Sequence, residues 1–181
     1  MFKKSLLLIL TLSTLLSTLQ AREMEVFAKE QAEDLKYNKT IRAFMKDNKR
    51  ITAMVNKSYA YVVFPSIGKG GVVFGGAYGE GRAYRRGMWV GDVSVTQYTF
   101  GLQVGGQAYS EIIFFMTREA FRAFKKGGFV GSTQSSIVPF YSGISGDVDF
   151  AKNVHVFTSS TGGLMLEAST GTQEFTYKSR E

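Results

Sequence analysis

The chain contains no cysteine, a single histidine and no apolar stretch long enough to span a bilayer. Without cysteine there is no disulfide, no thiol catalysis, no cysteine-ligated zinc and no lipid-modified cysteine of the kind that tethers bacterial lipoproteins. The one histidine, His155, excludes a multi-histidine metal site, and in the apolar alternation Val154-His155-Val156-Phe157 it reads as a solvent-facing strand residue. A dinucleotide fingerprint fails where Val73 and Tyr84 stand in place of its third glycine. No phosphate-cradling loop ends in Gly-Lys-Ser/Thr, and Gly143-Ile144-Ser145-Gly146 is one residue too tight for a nucleophile elbow. Asp147 and Asp149 lack the longer ligand spacing of a calcium loop and read as a solvated turn. Glu111 and Glu119 have no spacing that argues for acid–base work. The expectation is a protein that is not an enzyme and needs no metal or cofactor. A hydrolase would require Glu80, Asp92 or His155 to converge with a serine.

What is present begins with an address. Lys3 and Lys4 precede the apolar segment Leu6 to Leu16, and Ala21 is a small residue at a plausible cut with Leu19 at −3. Residues 1–21 therefore read as a secretory signal peptide, because the segment is broken by serine and threonine and falls short of the roughly 20 residues of a membrane span. The 181 residues suffice for one domain with a substantial core. Removing Lys3 and Lys4 takes the formal net charge from +7 to about +5. A basic surface suits acidic headgroups or nucleic acid. Export removes nucleic acid as a partner.

Residues 22–57 form an N-terminal helical segment and 58–181 a glycine-rich β domain. Glu23 to Lys57 has no glycine or proline and many strong helix formers, with Asp47-Asn48 as a break between helices over about 24–46 and 50–57. After Ser58 short β-branched and aromatic runs alternate with turn residues, and most of the twenty glycines lie between Gly68 and Gly146. Strands are expected near 59–64, 71–77, 80–86, 88–98, 100–108, 110–117, 134–139, 154–160, 163–169 and 172–178. A helix over 118–126 interrupts them, capped by Thr117 and stopped at Gly127-Gly128. Glycine in so many strands costs about 1 kcal/mol each against alanine. A strongly curved sheet explains it, with glycine at bends and close approaches. The fold class is α+β: N-terminal helices packed on a curved, mostly antiparallel glycine-rich β-barrel or sandwich. Alternation nominates Tyr61, Val63, Phe64, Val73, Leu102, Val104, Ile113 and Phe115 as core.

The positive charge falls in patches. On a helix over Ile41 to Lys57, Arg42, Lys46, Lys49, Arg50 and Lys57 share an arc of roughly 100°, opposite Ile41, Phe44, Met45, Ile51 and Val55. Arg118, Arg122, Lys125 and Lys126 cluster on one side of the later helix, with Phe121 and Phe124 on another. A basic stripe beside an apolar face is what an interfacial helix needs, and an ordinary helix packed on a sheet shows the same pattern. Arg82, Arg85 and Arg86 form a third patch, or edge-strand charges that block aggregation.

Several phrases occur in a telling order: Phe64-Pro65-Ser66 then Lys69-Gly70-Gly71, Tyr78-Gly79-Glu80-Gly81, Trp89, and Gly101-Leu102-Gln103 with Gly105 and Gln107. Together they resemble the SYLF domain family of bacteria and eukaryotes, from about Lys57 through Thr117 and more faintly to the end. Two departures are Val90-Gly91-Asp92 after the tryptophan, where relatives carry serine and proline, and Gly162-Gly163-Leu164-Met165-Leu166-Glu167 in place of a glycine-aromatic phrase. The resemblance implies phospholipid binding, with phosphoinositides and actin regulation confined to eukaryotic members, and it identifies no catalytic residue. The part that fits an exported chain is recognition of an anionic phospholipid surface by basic residues beside an amphipathic helix. Carried over by position, that role falls to Arg42, Lys46, Lys49, Arg50 and Lys57. The expectation is a periplasmic, peripherally membrane-associated protein of the bacterial envelope. The alternative is a scaffold that binds an envelope protein through sheet edges or through Tyr78, Tyr84 and Trp89. Oligomeric state is left open by the sequence.

Overall fold

The computed structural model describes residues 2–47, 49–71, 74–103, 105–127, 130–132, 153–160 and 167–180. Helix α1 (Phe2–Asp47) and helix α2 (Lys49–Lys57) precede strands β1 (Ala60–Gly71), β2 (Phe74–Arg85), β3 (Met88–Gln103) and β4 (Gly105–Phe115). Helix α3 (Arg118–Lys125), β5 (Val130–Ser132), β6 (Val154–Ser160) and β7 (Glu167–Ser179) follow. The fold is α+β. The expected helix break holds, since α1 ends at Asp47 and α2 begins at Lys49. Thr117 caps α3 by accepting a hydrogen bond from the Ala120 amide at 3.3 Å. The expected strand over 134–139 lies outside the described residues, as do Val73, Val104 and the Leu102 side chain.

The chain divides into two compact units, Met1–Asn38 and Lys39–Glu181. The first is the leading part of α1, whose described side chains from Leu15 through Lys36 are all exposed, Leu19, Met24, Val26, Phe27 and Leu35 among them. Among the described residues no helix is long and apolar enough to cross a membrane.

The second unit is built on one seven-stranded sheet in the order β5-β7-β3-β2-β1-β4-β6, with antiparallel pairing throughout. The order ends at β5 and β6, so among the described residues the sheet is open and curved and does not close into a barrel. The expected strands over 71–77 and 80–86 are joined, because β2 runs through Tyr78-Gly79-Glu80. The expected strand over 100–108 is divided between the end of β3 at Gln103 and the start of β4 at Gly105, and β7 joins 167–169 to the expected strand over 172–178.

Curvature follows from where large side chains meet bare backbone. Four strand spacings would set β4 and β7 about 19 Å apart in a flat sheet, yet Gln173 on β7 donates to the Tyr109 hydroxyl on β4 at 3.3 Å. Phe64 on β1 likewise meets Phe175 on β7, their ring centroids 5.9 Å apart. A Cβ at Gly81 would lie 2.6 Å from the Phe64 ring and 2.8 Å from the Val63 carbonyl oxygen, and one at Gly79 would lie 2.7 Å from Ile67. These glycines let β1 side chains lie across β2. A bulge at Pro65-Ser66 inserts one residue into β1, opposite Glu111 and Tyr109 of β4, so Phe64 and Ile67 both face inward despite their odd spacing.

The concave face is filled by Ala60, Val62, Phe64, Ile67, Val93, Val95, Ile113, Phe115 and Phe175, with Phe121 and Phe124 of α3 plugging one end. Phe124 stacks obliquely on Phe115 and Phe175 at 4.8 and 5.5 Å. The convex face is apolar too: Tyr61, Val63, Ile112 and Phe114 are buried there. Ile41 and Phe44 of α1 and Ile51 and Met54 of α2 are buried as well and lie outside the concave cluster.

Gly81→Ala should destabilise the protein by about 1–3 kcal/mol in chemical denaturation, since backbone as well as ring must give way. Gly68→Ala, where a Cβ meets open space, should leave stability within about 0.5 kcal/mol.

Candidate functional site: a basic sheet end and a polar interior

Antiparallel pairing brings the starts of β1, β3 and β6 and the ends of β2, β4 and β7 to one end of the sheet. Cations that are scattered in sequence gather there: Lys57 at the close of α2, Arg85 and Arg86 in the β2–β3 turn, Lys178 and Arg180 at the close of β7, and the basic side of α3. Arg86 and Gly87 both have positive φ, 52° and 78°, the geometry of a tight hairpin turn, which leaves Met88 60% exposed at its tip. The nearby described carboxylates are Glu119 and Asp92, both exposed.

Aromatic rings hold these cations in place. Trp89 lies between two guanidiniums, Arg82 at 3.6 Å and Arg180 at 3.7 Å from its ring centroid. A bulge in β3 explains the clasp. Ala83 pairs with Gly91 and Tyr84 with Trp89, which leaves Val90 as the extra residue and turns Trp89 to the convex face beside Arg82. The Val90 carbonyl, released from the ladder, accepts from the Tyr177 hydroxyl at 2.9 Å and the Arg180 amide at 3.1 Å. The end of β7 is thereby fixed to β3. Arg85 donates to the Tyr59 hydroxyl at 3.4 Å, and the Lys125 ammonium sits 5.5 Å from the Phe121 ring and 5.6 Å from that of Tyr177.

All nine residues nominated from the sequence are exposed: Arg42, Lys46, Lys49, Arg50, Lys57, Arg118, Arg122, Lys125 and Lys126. Lys57 joins the α3 group at the basic end. Arg42 and Lys46 lie on the last turns of α1, and Lys49 and Arg50 on the first turn of α2. The helix faces opposite them are turned into the protein, with Ile41, Phe44, Ile51, Phe121 and Phe124 buried and Met45 and Val55 half-buried. Charge is what these helices present outward. Arg82, Lys178, Arg180 and Trp89 were not legible as one group, because the β3 bulge that joins them leaves no mark in composition.

Among the described residues Glu80, Asp92 and His155 are not brought together: Glu80 and Asp92 are exposed on β2 and β3, while His155 lies on β6, where it pairs with Phe114 of β4.

A second polar group lies inside the curve. Tyr109 donates to Gln97 Oε1 at 3.0 Å, and Gln173 Nε2 reaches both the Tyr109 hydroxyl and Glu111 Oε2, the latter at 3.5 Å. Glu111 is 2% exposed, and burial pushes its carboxyl up to about 7 against the opposing hydrogen bond from Gln173. In the sequence Glu111 stands out only beside Glu119, at a spacing that argues for no acid–base role. Its inward alternation with Ile113 and Phe115 was the available signal.

Glu111 binds its proton more tightly folded than unfolded, so its contribution favours folding below an unfolded value near 4.5 and is lost as pH rises through about 7. Thermal unfolding should show roughly 3 kcal/mol less stability at pH 8 than at pH 4.5 from this group, a difference that Glu111→Gln removes. In a double-mutant cycle, Arg180→Ala with Trp89→Leu should show a coupling of about 0.5–1 kcal/mol. No protein-family model matches the chain, and no curated protein matches it either.

Proposed function

We propose that this protein is a non-enzymatic phospholipid-binding protein of the bacterial cell envelope that docks on anionic membrane surfaces through its exposed cations. The observation that carries this reading is the convergence of Lys57, Arg85, Arg86, α3 and the end of β7 on one end of the sheet. The resemblance to the SYLF family supports the same ligand class. Each Lys or Arg near an anionic surface contributes about 1 kcal/mol, so six acting together give affinities of roughly tens of micromolar. The solvent-facing sides of α2 and α3 supply charge, and exposed Met88 at the hairpin tip supplies a shallow apolar contact. Export by the leading segment would place this surface in the periplasm, where no lipid-modified cysteine could hold it and the exposed cations would make the membrane contact.

Co-sedimentation of the full chain with phosphatidylglycerol/cardiolipin vesicles and with phosphatidylcholine vesicles, at low and moderate salt, tests the reading. The expected result is pelleting with the anionic vesicles alone, weakened as salt shortens the Debye length to about 8–10 Å. Arg118→Glu, Arg122→Glu and Lys126→Glu together should cut binding at least tenfold. Arg42→Glu, Lys46→Glu, Lys49→Glu and Arg50→Glu together measure the share of α1 and α2. Equal, salt-insensitive pelleting with both vesicles, or none, would overturn the proposal and direct attention to a protein partner.

A further inference from the structure

The outward face of the sheet is polarised along its strands. Next to the β2–β3 turn, Arg82, Asp92 and Lys178 form one cross-strand row, with Arg85 and Arg86 exposed at the turn itself. The next two rows away from the turn place Glu80 beside Ser94 and Thr176, and Tyr78 beside Thr96 and Glu174. Glu80 and Glu174 are exposed, and among the described residues no Lys or Arg shares this far half of the outward face of β2, β3 and β7. The two ends of one face therefore carry opposite charge.

At the far end the backbone itself is bare. A Cβ at Gly68 or Gly70 of β1 would meet open space, and one at Gly76 of β2 only the Gln97 carbonyl oxygen at 3.5 Å. Gly79 and Gly81 make room for Ile67 and Phe64 on the inward face. The three outward glycines weaken their strands without making room for any described residue. Tyr78 stands beside Gly68, and Tyr98 beside Gly76, 55% and 63% exposed. The tyrosines are diagonal neighbours across β2 and β3, with Cβ atoms about 7–8 Å apart. Tyr78 donates to Glu80 Oε1 at 3.2 Å, which joins one ring to one carboxylate. The result is an open glycine floor rimmed by two aromatic faces and two acids.

The β2–β3 turn has the complementary chemistry: two exposed guanidiniums and Met88, which is 60% exposed. Guanidiniums are attracted to tyrosine faces and to carboxylates, and a thioether packs well against aromatic rings. Nine residues of β2 separate Arg85 from Gly76, about 30 Å at the rise of a strand. A tip so far along a paired strand cannot fold back onto its own glycine floor. The occupant that fits is a second copy of this chain. We propose that the β2–β3 hairpin tip of one copy seats on the glycine floor of another, with Arg85 and Arg86 against Glu80, Glu174 and the two tyrosines. Each copy offers one tip and one floor, so the contact is heterologous and joins copies head to tail into a ring or an open chain. The contact does not rest on the membrane reading.

Sedimentation velocity of the full chain without lipid, at concentrations up to about 1 mM, tests this. At low salt the mean mass should rise with concentration, and it should return to that of the monomer at about 1 M salt, where the Debye length is about 3 Å. Glu80→Lys with Glu174→Lys should weaken association at least tenfold, as should Arg85→Glu with Arg86→Glu. All four substitutions in one chain restore opposite charge between tip and floor and should restore association, which a merely misfolded variant would not do. Tyr98→Ser should weaken it without changing the melting transition. A monomer at every concentration at low salt would overturn the inference. So would association that persists at high salt, that ignores the charge reversals, or that the fourfold reversal does not recover.

Discussion

The contact on which the structure turns is that of Phe64 and Ile67 with the bare backbone of Gly81 and Gly79. Two large β1 side chains occupy space that any Cβ on β2 would take, and the sheet bends around them. Bending brings β7 across to β4, which a flat sheet would hold far apart. Everything else inside the second unit depends on that closure. It gives α3 an apolar socket for Phe121 and Phe124, and it brings Gln173 within reach of Tyr109 and Glu111.

Packing and charge are divided with little overlap. The apolar sides of α2 and α3 and of the last turns of α1 serve the fold, because both faces of the central strands are apolar and need cover. The cations on the same helices are left to solvent. A helix of this kind resembles an interfacial helix in sequence, since the periodicity is the same whether its apolar face meets lipid or a sheet. Burial of Ile51, and packing of Phe124 on Phe115 and Phe175, decide for the protein interior.

The parts of the fold legible in sequence were those set by local chemistry. Absence of glycine and proline marked the N-terminal helices, Asp47-Asn48 marked their break, and Thr117 marked the start of α3. Glycines among β-branched residues announced curvature, and Tyr61, Val63, Phe64, Ile113 and Phe115 are buried as alternation suggested. What strict alternation could not show were the bulges at Pro65-Ser66 and Val90. Each shifts the inward–outward count by one residue, so Ile67 and Lys69 turn inward and Trp89 turns outward. Of the candidate site, the exposed cations were visible one patch at a time. Their meeting at one sheet end is a property of strand order, which pairs residues as distant as Gly91 and Ser179.

The clasp around Trp89 has an optical consequence. Trp89 is the one tryptophan in the chain, so under selective excitation the indole emission of the whole protein comes from a single ring pressed between two guanidiniums at the basic end. Its spectrum reports on that end alone, undiluted by the core. Anything that draws Arg180 away from the ring, including a phosphate competing for its guanidinium, changes the indole's surroundings and exposes it to water. The protein thus carries a native, label-free sensor at the surface where an anionic partner would arrive.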